Sequence, residues 1–155
     1  MKLREYRPSD CSSLVELFYN TVHTINLKDY TPIQISVWAN GSVDKSAWNK
    51  SFLDHNTVIV EEGNTIVGFC DMDNNGYLDR LYVHKDYQRI GIATMLVDEL
   101  EQKMMLQGVS LFTTLASITA KPFFEHRGYN IIRENKVVRN NIDLINFVME
   151  KNIIK

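Results

Sequence analysis

A single glycine stands where a strand pattern gives way to a helix pattern, and this position suits phosphate binding. Residues 87–96 read YQRIGIATML, and the glycine is Gly91. The first amides of a helix lack internal partners and carry partial positive charge, so a helix that starts near Gly91 presents N–H groups to an anion. Glycine leaves that approach open, and the small side chain of Ala93 does not obstruct it from the next turn. The segment predicts a phosphate-binding helix start, although a glycine that only relieves crowding in the turn would explain it equally well.

The elements around Gly91 follow from hydrophobic periodicity and turn residues. The N-terminal third predicts one short strand and three helical segments, at residues 2–7, 9–26, 32–38 and 44–53. From residue 56 the pattern predicts three strands joined by tight turns, at 56–62, 65–72 and 76–83. The remainder predicts a helix at 91–107, a strand at 109–116, a helix at 118–127 and strands at 129–138 and 141–150.

The order of these elements predicts the fold class. Residues 76–116 form a strand–helix–strand unit, which favours a parallel, right-handed crossover. Hairpins surround this unit, so its neighbours should pair antiparallel. We therefore expect an α/β fold with a central, mixed, mostly antiparallel twisted sheet of about seven strands, flanked by helices.

Residues that favour helix ends support these limits. Ser9 or Asp10 can cap the first helix, and Asp44 can cap the third. Gly108 should end the helix that follows Gly91. Ser117 can cap the short helix that comes next.

The composition is that of an ordinary globular protein. The chain has 155 residues, of which 45% are hydrophobic and 23% charged, and its net charge is −2 with a pI near 6.1. This balance does not suggest a general nucleic-acid surface. The two cysteines, Cys11 and Cys70, imply no disulfide framework, and no apolar run approaches membrane-spanning length. We expect one domain at residues 1–155, cytoplasmic, without nucleic-acid or membrane partners.

Two segments carry a resemblance to a known family. Residues 88–93, QRIGIA, match the Q/R-x-x-G-x-G/A motif of the GCN5-related N-acetyltransferases. Residues 117–129, SITAKPFFEHRGY, resemble the family's second signature, N-x-x-A-x-x-F-Y-E-K-x-G-F. The order of elements is also similar over nearly the full chain. The resemblance implies the family fold for residues 1–155 and acetyl-CoA as the acyl donor.

The resemblance also implies which residues meet the cofactor. Backbone amides would hold the pyrophosphate, and the edge of the strand at 77–83 would pair with the pantetheine arm as an extra strand would. Ser117 stands where the family often has an asparagine that contacts the cofactor, and the capping role explains it equally well. The implied cofactor-binding residues are Leu81, Tyr82, Val83, Gln88, Arg89, Ile90, Gly91, Ile92, Ala93, Thr94, Ser117 and Phe124.

Acetyl transfer to an amine requires a deprotonated nucleophile. A lysine-like amine has a pKa near ~10.4, so its free base costs roughly 4–5 kcal/mol at neutral pH. Asp79 is the first candidate base, because an acidic residue in an otherwise apolar strand is unusual unless it has a function or a partner. A simple ion pair with Arg80 is the alternative. Tyr77 lies near where some relatives carry a base, or it shapes the pocket. Glu61 and Asp71 could act through water or be solvated.

The leaving thiolate is where the chain departs from the family pattern. Many relatives place a tyrosine as general acid at the position of Phe124, which cannot donate a proton. Tyr82, Tyr129 or water would then protonate the thiolate. The amide of Val83 would polarise the thioester carbonyl, as an oxyanion-type donor.

The acceptor should be bound by residues 20–55, where the family varies. His23, Tyr30 and Trp38 are the candidate substrate-binding residues, and helix packing is the alternative for each. The four histidines show no metal-ligand spacing, so we expect no metal. A monomer and a homodimer both remain open.

Three functions can be compared. The leading hypothesis is an acetyl-CoA-dependent N-acetyltransferase that acts on a primary amine of a small molecule or peptide, by direct attack on the thioester. The alternative is a CoA-binding sensor or regulatory module without catalysis, motivated by Phe124. A third is an acetylating toxin that acts on charged tRNA, which the net charge of −2 disfavours.

Overall fold

A seven-stranded sheet organises the chain in a computed structural model that describes residues 1–153. Its strands are β1 (Lys2–Glu5), β2 (Asn56–Glu62), β3 (Thr65–Met72), β4 (Tyr77–Val83), β5 (Leu111–Ser117), β6 (Asn130–Arg139) and β7 (Ile142–Asn152). The helices are α1 (Cys11–Thr24), α2 (Pro32–Trp38), α3 (Lys45–Asp54), α4 (Ile92–Leu106) and α5 (Lys121–His126). Two short 3-10 turns, at Pro8–Asp10 and Asn26–Lys28, flank α1.

The strand order is β1-β2-β3-β4-β5-β7-β6. Neighbouring strands pair antiparallel except β4 and β5, which pair parallel. The predicted mixed, mostly antiparallel sheet is therefore confirmed, together with the parallel pairing of the unit at 76–116. Both follow from the sequence because hairpin turns enforce antiparallel neighbours, while α4 is long enough to carry the chain back to the start of a parallel strand.

Helices cover the sheet on both faces and bury two separate cores. Successive strand residues point to opposite faces, and on β3 the buried Cys70 belongs to the core beneath α4 and α5, whereas the buried Phe69 belongs to the core beneath α1–α3. In the first core, α4 contributes Leu96 and Leu100. In the second, α1 contributes Phe18. The sheet is thus a wall between two helical layers.

Several helix ends agree with the predicted residues. Asp44 caps α3 by accepting a hydrogen bond from the Ala47 amide at 3.1 Å. Pro32 lies in the first turn of α2, with Thr31 as its cap. Gly108 follows α4 with a φ of +91°, a left-handed conformation that suits glycine.

Other predicted limits were wrong. The cap of α1 does not form, because the Asp10 carboxylate is bound by the Arg4 guanidinium and the Arg7 amide instead. β1 ends at Glu5, two residues early, and α5 begins at Lys121 rather than residue 118. Within residues 1–153, no helix combines the length and apolarity needed to cross a membrane.

Candidate active site

The parallel strands at the centre of the sheet separate soon after they pair. β4 and β5 are in register only at Tyr77–Thr113 and Leu78–Thr114, although each strand continues for several residues. A cavity of about 970 Å³ occupies the split. One part of its lining, here called the α4 side, comes from residues 83–94 and 115–124. The other part, the α1 side, includes Phe18, Thr21, Val37, Trp38, Trp48 and Leu144. The cavity therefore passes between the two helical layers.

Gly91 is the N-cap of α4 on the α4 side, with a φ of +91°. The first bond inside the helix runs from the Met95 amide to the Gly91 carbonyl at 3.0 Å, so the amides of residues 92–94 have no helical acceptor. No side chain of residues 1–153 caps them. A Cβ on Gly91 would meet nothing within 4 Å. Crowding therefore does not explain this glycine, whereas its φ and the open approach do.

The residues around Gly91 fix the turn. Ile92 is 1% exposed and packs into the core, while Ile90 is 55% exposed and Arg89 has a φ of +62°. The side-chain amide of Gln88 donates to the Val83 carbonyl at 2.7 Å. The loop is thus tied back to the end of β4, and Gln88, Arg89 and Gly91 line the cavity.

The free edge of β4 borders the same cavity. The His84 amide donates to Val67 on β3 at 2.8 Å. Because alternate residues of an antiparallel strand bond to the same neighbour, Leu81 and Val83 direct their main-chain groups away from β3. Thr21 donates to the Val83 carbonyl at 3.1 Å, which leaves the Val83 amide unused. The split thus exposes the edge of a strand that a ligand can extend.

Ser117 and Phe124 lie at the far wall of the α4 side. The Ser117 hydroxyl accepts a hydrogen bond from the Ala120 amide at 3.0 Å, so it stabilises the turn before α5 and does not cap the helix directly. Phe124 is 2% exposed and packs edge-on against Phe123 and Tyr129. Both predicted residues line the cavity, and Phe124 presents only carbon to it.

Asp79 lies on β4 at the point where the sheet splits. Arg80 pairs with Asp71 and Leu78 with Met72, so Asp79 is the extra residue of a β-bulge. Its side chain is 37% exposed and lines the cavity. None of the described side chains hydrogen-bonds to it. Partial burial and the negative charge on Asp71 raise its pKa, which makes the Asp79 carboxylate a better proton acceptor than an ordinary one.

A buried ion-pair network lies directly behind Asp79. Asp71 on β3 is fully buried, and its carboxylate accepts bonds from Arg80 at 2.8 and 3.1 Å and from the His55 Nδ1 at 2.7 Å. Arg80 Nη2 and His55 Nδ1 stand 3.5 and 4.0 Å from Asp79 Oδ2. We call His55, Asp71, Asp79 and Arg80 the Asp71 cluster. The bond to Asp71 raises the pKa of His55.

The sequence does not indicate this cluster. From the sequence, Asp71 is expected to act as a base through water or to be solvated, and Arg80 is the alternative ion-pair partner of Asp79. The structure makes Asp71 the main partner of Arg80, with Asp79 as the more distant one. The available signal was the acid within the apolar stretch Phe69–Met72, since a carboxylate buried among apolar residues requires a cation.

The ligand atoms of His55, Asp71 and Asp79 lie within 4.8 Å of one another, close enough in principle to share a metal ion. Arg80 already binds both oxygens of Asp71, and His55 binds one of them. This arrangement is that of an ion-pair network. The expectation of no metal stays a prediction.

Aromatic side chains dominate the α1 side. Tyr82 packs against Phe18 and Phe69. Burial raises the pKa of Tyr82, so its hydroxyl remains protonated near neutral pH. Trp38 contacts the Tyr30 ring edge-on at 5.1 Å.

The other residues predicted to bind the acceptor differ in placement. The Tyr30 hydroxyl donates to the Ile145 carbonyl at 2.7 Å and accepts from the Ile118 amide at 2.9 Å, so it is bound to β7 and to the residue after β5 at the cavity wall. His23 does not line the cavity; its ring is 2.7 Å from the Ala39 carbonyl and stacks on Tyr19. Its proposed contact with the acceptor stays a prediction that this placement does not favour.

Tyr129, a candidate acid, is committed elsewhere. Its hydroxyl donates to Glu101 on α4 at 2.6 Å. Arg127 and Lys151 bind the same carboxylate, at 2.8 and 2.7 Å. Burial alone would raise the pKa of Glu101, but these hydrogen bonds lower it. This second buried carboxylate joins α4, α5 and β7 and has no access to the split.

Comparisons with known proteins agree with this geometry. Residues 26–151 match the model of the acetyltransferase (GNAT) domain family. An uncharacterised N-acetyltransferase of Escherichia coli K12, YafP, is 32% identical over 149 residues, which covers 96% of this chain and 94% of YafP.

Solved structures show the same fold. A GCN5-related N-acetyltransferase from Rhodopseudomonas palustris superposes with a TM-score of 0.92 at 30% identity, covering 97% of this chain and 94% of that one. The PaiA N-acetyltransferase of Thermoplasma acidophilum, in complex with coenzyme A, gives 0.81 at 18% identity, covering 97% and 98%. The protein therefore belongs to the GCN5-related N-acetyltransferase (GNAT) family.

Proposed function

We propose that this protein binds acetyl-CoA on the α4 side of the cavity and transfers the acetyl group to a primary amine of a small molecule or peptide that enters from the α1 side. The observation that carries this proposal is the row of unpaired amides at residues 92–94, which opens onto the split beside the free edge of β4. Two similar folds were solved with CoA or acetyl-CoA, the T. acidophilum enzyme and YncA of Salmonella typhimurium.

Main-chain groups carry most of the proposed donor binding. The amides of residues 88–94 hold the pyrophosphate at the positive end of α4. Leu81 supplies N–H and C=O groups along the exposed edge of β4, where an extended pantetheine arm adds as a strand does. At Val83 only the amide is free for a ligand, because the carbonyl already accepts from Thr21 and Gln88. Ser117 and Phe124 border the opposite wall. Side chains in this part of the site contribute shape more than hydrogen bonds.

Asp79 is the proposed general base. It lies at the split, no other side chain among the described residues hydrogen-bonds to its carboxylate, and its pKa is raised. It removes a proton from the acceptor ammonium, and the amine nitrogen then attacks the thioester carbon. The bond from carbon to sulfur breaks, and the nitrogen releases its second proton to water as the amide forms. The Val83 amide stabilises the developing oxyanion.

The leaving thiolate requires a proton from another source. Phe124 has none to give and Tyr129 is bonded to Glu101. Tyr82 carries a protonated hydroxyl beside the cavity, and bulk water reaches the same space. We assign the proton to one of these two, with Tyr77 shaping the pocket around Asp79.

The buried Phe124 also favours a second candidate function, a CoA-binding regulator without catalysis. The test is an acetyl-transfer screen with free amines and short peptides, in which the release of CoA is followed by thiol detection. Turnover that requires both acetyl-CoA and an amine supports the enzyme. Tight CoA binding with no turnover across the panel favours the regulator, and turnover that is unchanged in Asp79→Asn would remove Asp79 from the mechanism.

A further inference from the structure

His55 occupies a place that the proposed reaction does not yet use. It directly follows the last residue of α3, and its side chain is 22% exposed. Nδ1 faces Asp71 at 2.7 Å and Asp79 at 4.0 Å. The charged and titratable groups that act on it are Asp71 from β3 and Asp79 and Arg80 from β4. His55 therefore connects α3 to both acids of the cluster.

The charges of the Asp71 cluster balance only when His55 is protonated. Asp71 and Asp79 are two carboxylates, and Arg80 supplies one permanent positive charge. With a neutral imidazole the cluster carries a net charge of −1, and the cheapest place to add a proton is Asp79, because Asp71 is held by three charge-assisted bonds. Asp79 has no such bond among residues 1–153.

Neighbouring side chains hold Arg80, the permanent cation of the cluster, in place, so His55 is the member whose charge can change. The Arg80 guanidinium lies 4.4 Å from the Phe52 ring centroid and 4.9 Å from that of Trp48, and it also donates to the Ser51 hydroxyl. It is locked in place and charged at all relevant pH values. His55 is the member whose charge changes near physiological pH.

We propose that His55 is a positioning residue for the reaction: bound to Asp71, its imidazolium supplies the second positive charge that keeps the Asp79 carboxylate ionised at the split. This rests on the proposed function, in which Asp79 is the base. Burial and Asp71 push a proton onto Asp79, whereas His55 and Arg80 oppose this. Removal of one of the two opposing charges should make Asp79 hold its proton to higher pH.

The first experiment is a carbon-detected NMR titration of the Asp79 side chain, which needs no acceptor. The variant is His55→Gln, which retains a hydrogen-bond donor for Asp71 but cannot carry the charge. We expect the pKa of Asp79 to rise by about one unit, the lower end of what a nearby opposite charge contributes. The matched control is Asp54→Asn, the preceding residue, whose exposed carboxylate pairs with Lys50 outside the cluster. It should leave the Asp79 titration unchanged.

A reciprocal measurement guards against misfolding of His55→Gln. Coupling between two sites acts equally in both directions. In Asp79→Asn, the pKa of the His55 imidazole should therefore fall by the amount that His55→Gln raises the pKa of Asp79. An imidazole titration that is the same in wild type and Asp79→Asn would overturn the proposal.

Kinetics separate this role from a structural one. With an amine that the screen shows to be acetylated, kcat/KM of His55→Gln should be several-fold lower than that of wild type near pH 6. The two values should converge near pH 9, because His55 is then neutral in wild type and Asp79 is ionised in both proteins. A loss of equal size at every pH would indicate a structural role and overturn the proposal. A shifted Asp79 titration without acetylation of any amine would support the electrostatic link and overturn the proposed function instead.

Discussion

The two sides of the cavity present different parts of the chain to it. On the α4 side, the lining includes the start of α4, where the amides of residues 92–94 have no helical acceptor, and the edge of β4. On the α1 side the lining includes side chains, with Asp79 at the boundary and Trp38 and Trp48 farther in. A main-chain site depends on backbone conformation, so substitutions there act through φ, charge and access. A side-chain site depends on chemical identity.

The same difference separates the two buried carboxylates. Glu101 is closed by three hydrogen bonds and tethers α4 to its neighbours. Asp71 is closed in a similar way by Arg80 and His55, but its neighbour Asp79 opens onto the cavity. One cluster joins elements of the α4 side, while the other lies against a carboxylate that lines the cavity, the proposed base.

The largest expected effect is at Gly91. The change Gly91→Asp places a negative charge at the positive end of α4 and strains a φ of +91°. Like-charge repulsion of several kcal/mol should weaken acetyl-CoA binding about 100-fold or more, as measured by calorimetry. Gly108→Asp is the matched control, because Gly108 has the same φ, equally open surroundings and the opposite end of the same helix. Equal loss of affinity in both variants would assign the effect to backbone strain and contradict phosphate binding by the amides at the start of α4.

Asp79→Asn should lower the rate of acetyl transfer without changing the affinity for acetyl-CoA. The substitution preserves size but removes the base, so kcat should fall by about 100-fold or more. The Kd for acetyl-CoA should stay within about twofold of wild type, since the amides of α4 are untouched. If affinity falls and the rate of bound enzyme does not, Asp79 belongs to the donor side.

The pH dependence of kcat/KM should also differ from that of acetyl-CoA affinity. Asp79 acts as a base only when ionised, and its pKa is raised, so kcat/KM should be lost as pH falls through a value above the ordinary range of about 4. This limb should be absent in the residual activity of Asp79→Asn. The acetyl-CoA affinities of the two proteins should follow one common pH curve. A limb shared by both proteins would point to another group.

The smallest kinetic effect is expected at Tyr129. Tyr129→Phe removes the hydroxyl that donates to Glu101, whose remaining partners are Arg127 and Lys151. Loss of a buried bond to a charged group should lower the free energy of unfolding by about 1.5–3 kcal/mol in urea titrations. The kcat should be unchanged at temperatures where the variant is folded. A large fall in kcat would return Tyr129 to the list of candidate acids.

Local patterns predicted the donor side of the molecule. Alternating strands, the Asn75-Gly76 turn and the glycine before α4 act over a few residues, so residues 56–117 fold as their sequence indicates. For the same reason the sequence alone indicates Gly91 as a candidate site residue. The prediction that Ser9 or Asp10 caps α1 failed because the Asp10 carboxylate accepts hydrogen bonds from Arg4 on β1 and from the Arg7 amide instead.

The Asp71 cluster could not be predicted in the same way. Its members come from the end of α3, from β3 and from β4, and they meet only through the register of two strands and a bulge at Asp79. A shift of one residue would turn Asp79 away from His55. Sequence spacing therefore identified Asp79 as a candidate base but not the groups that set its charge.

Titration of the purified protein with acetyl-CoA, with CoA alongside it, tests the central claim most directly. We expect both ligands to stabilise the folded state saturably, seen as a rise in Tm that grows with ligand concentration. This stabilisation should be lost in Gly91→Asp but not in Gly108→Asp. No stabilisation at millimolar ligand would mean that the amides at the start of α4 only terminate a turn, and it would contradict the assignment of this cavity to acetyl transfer.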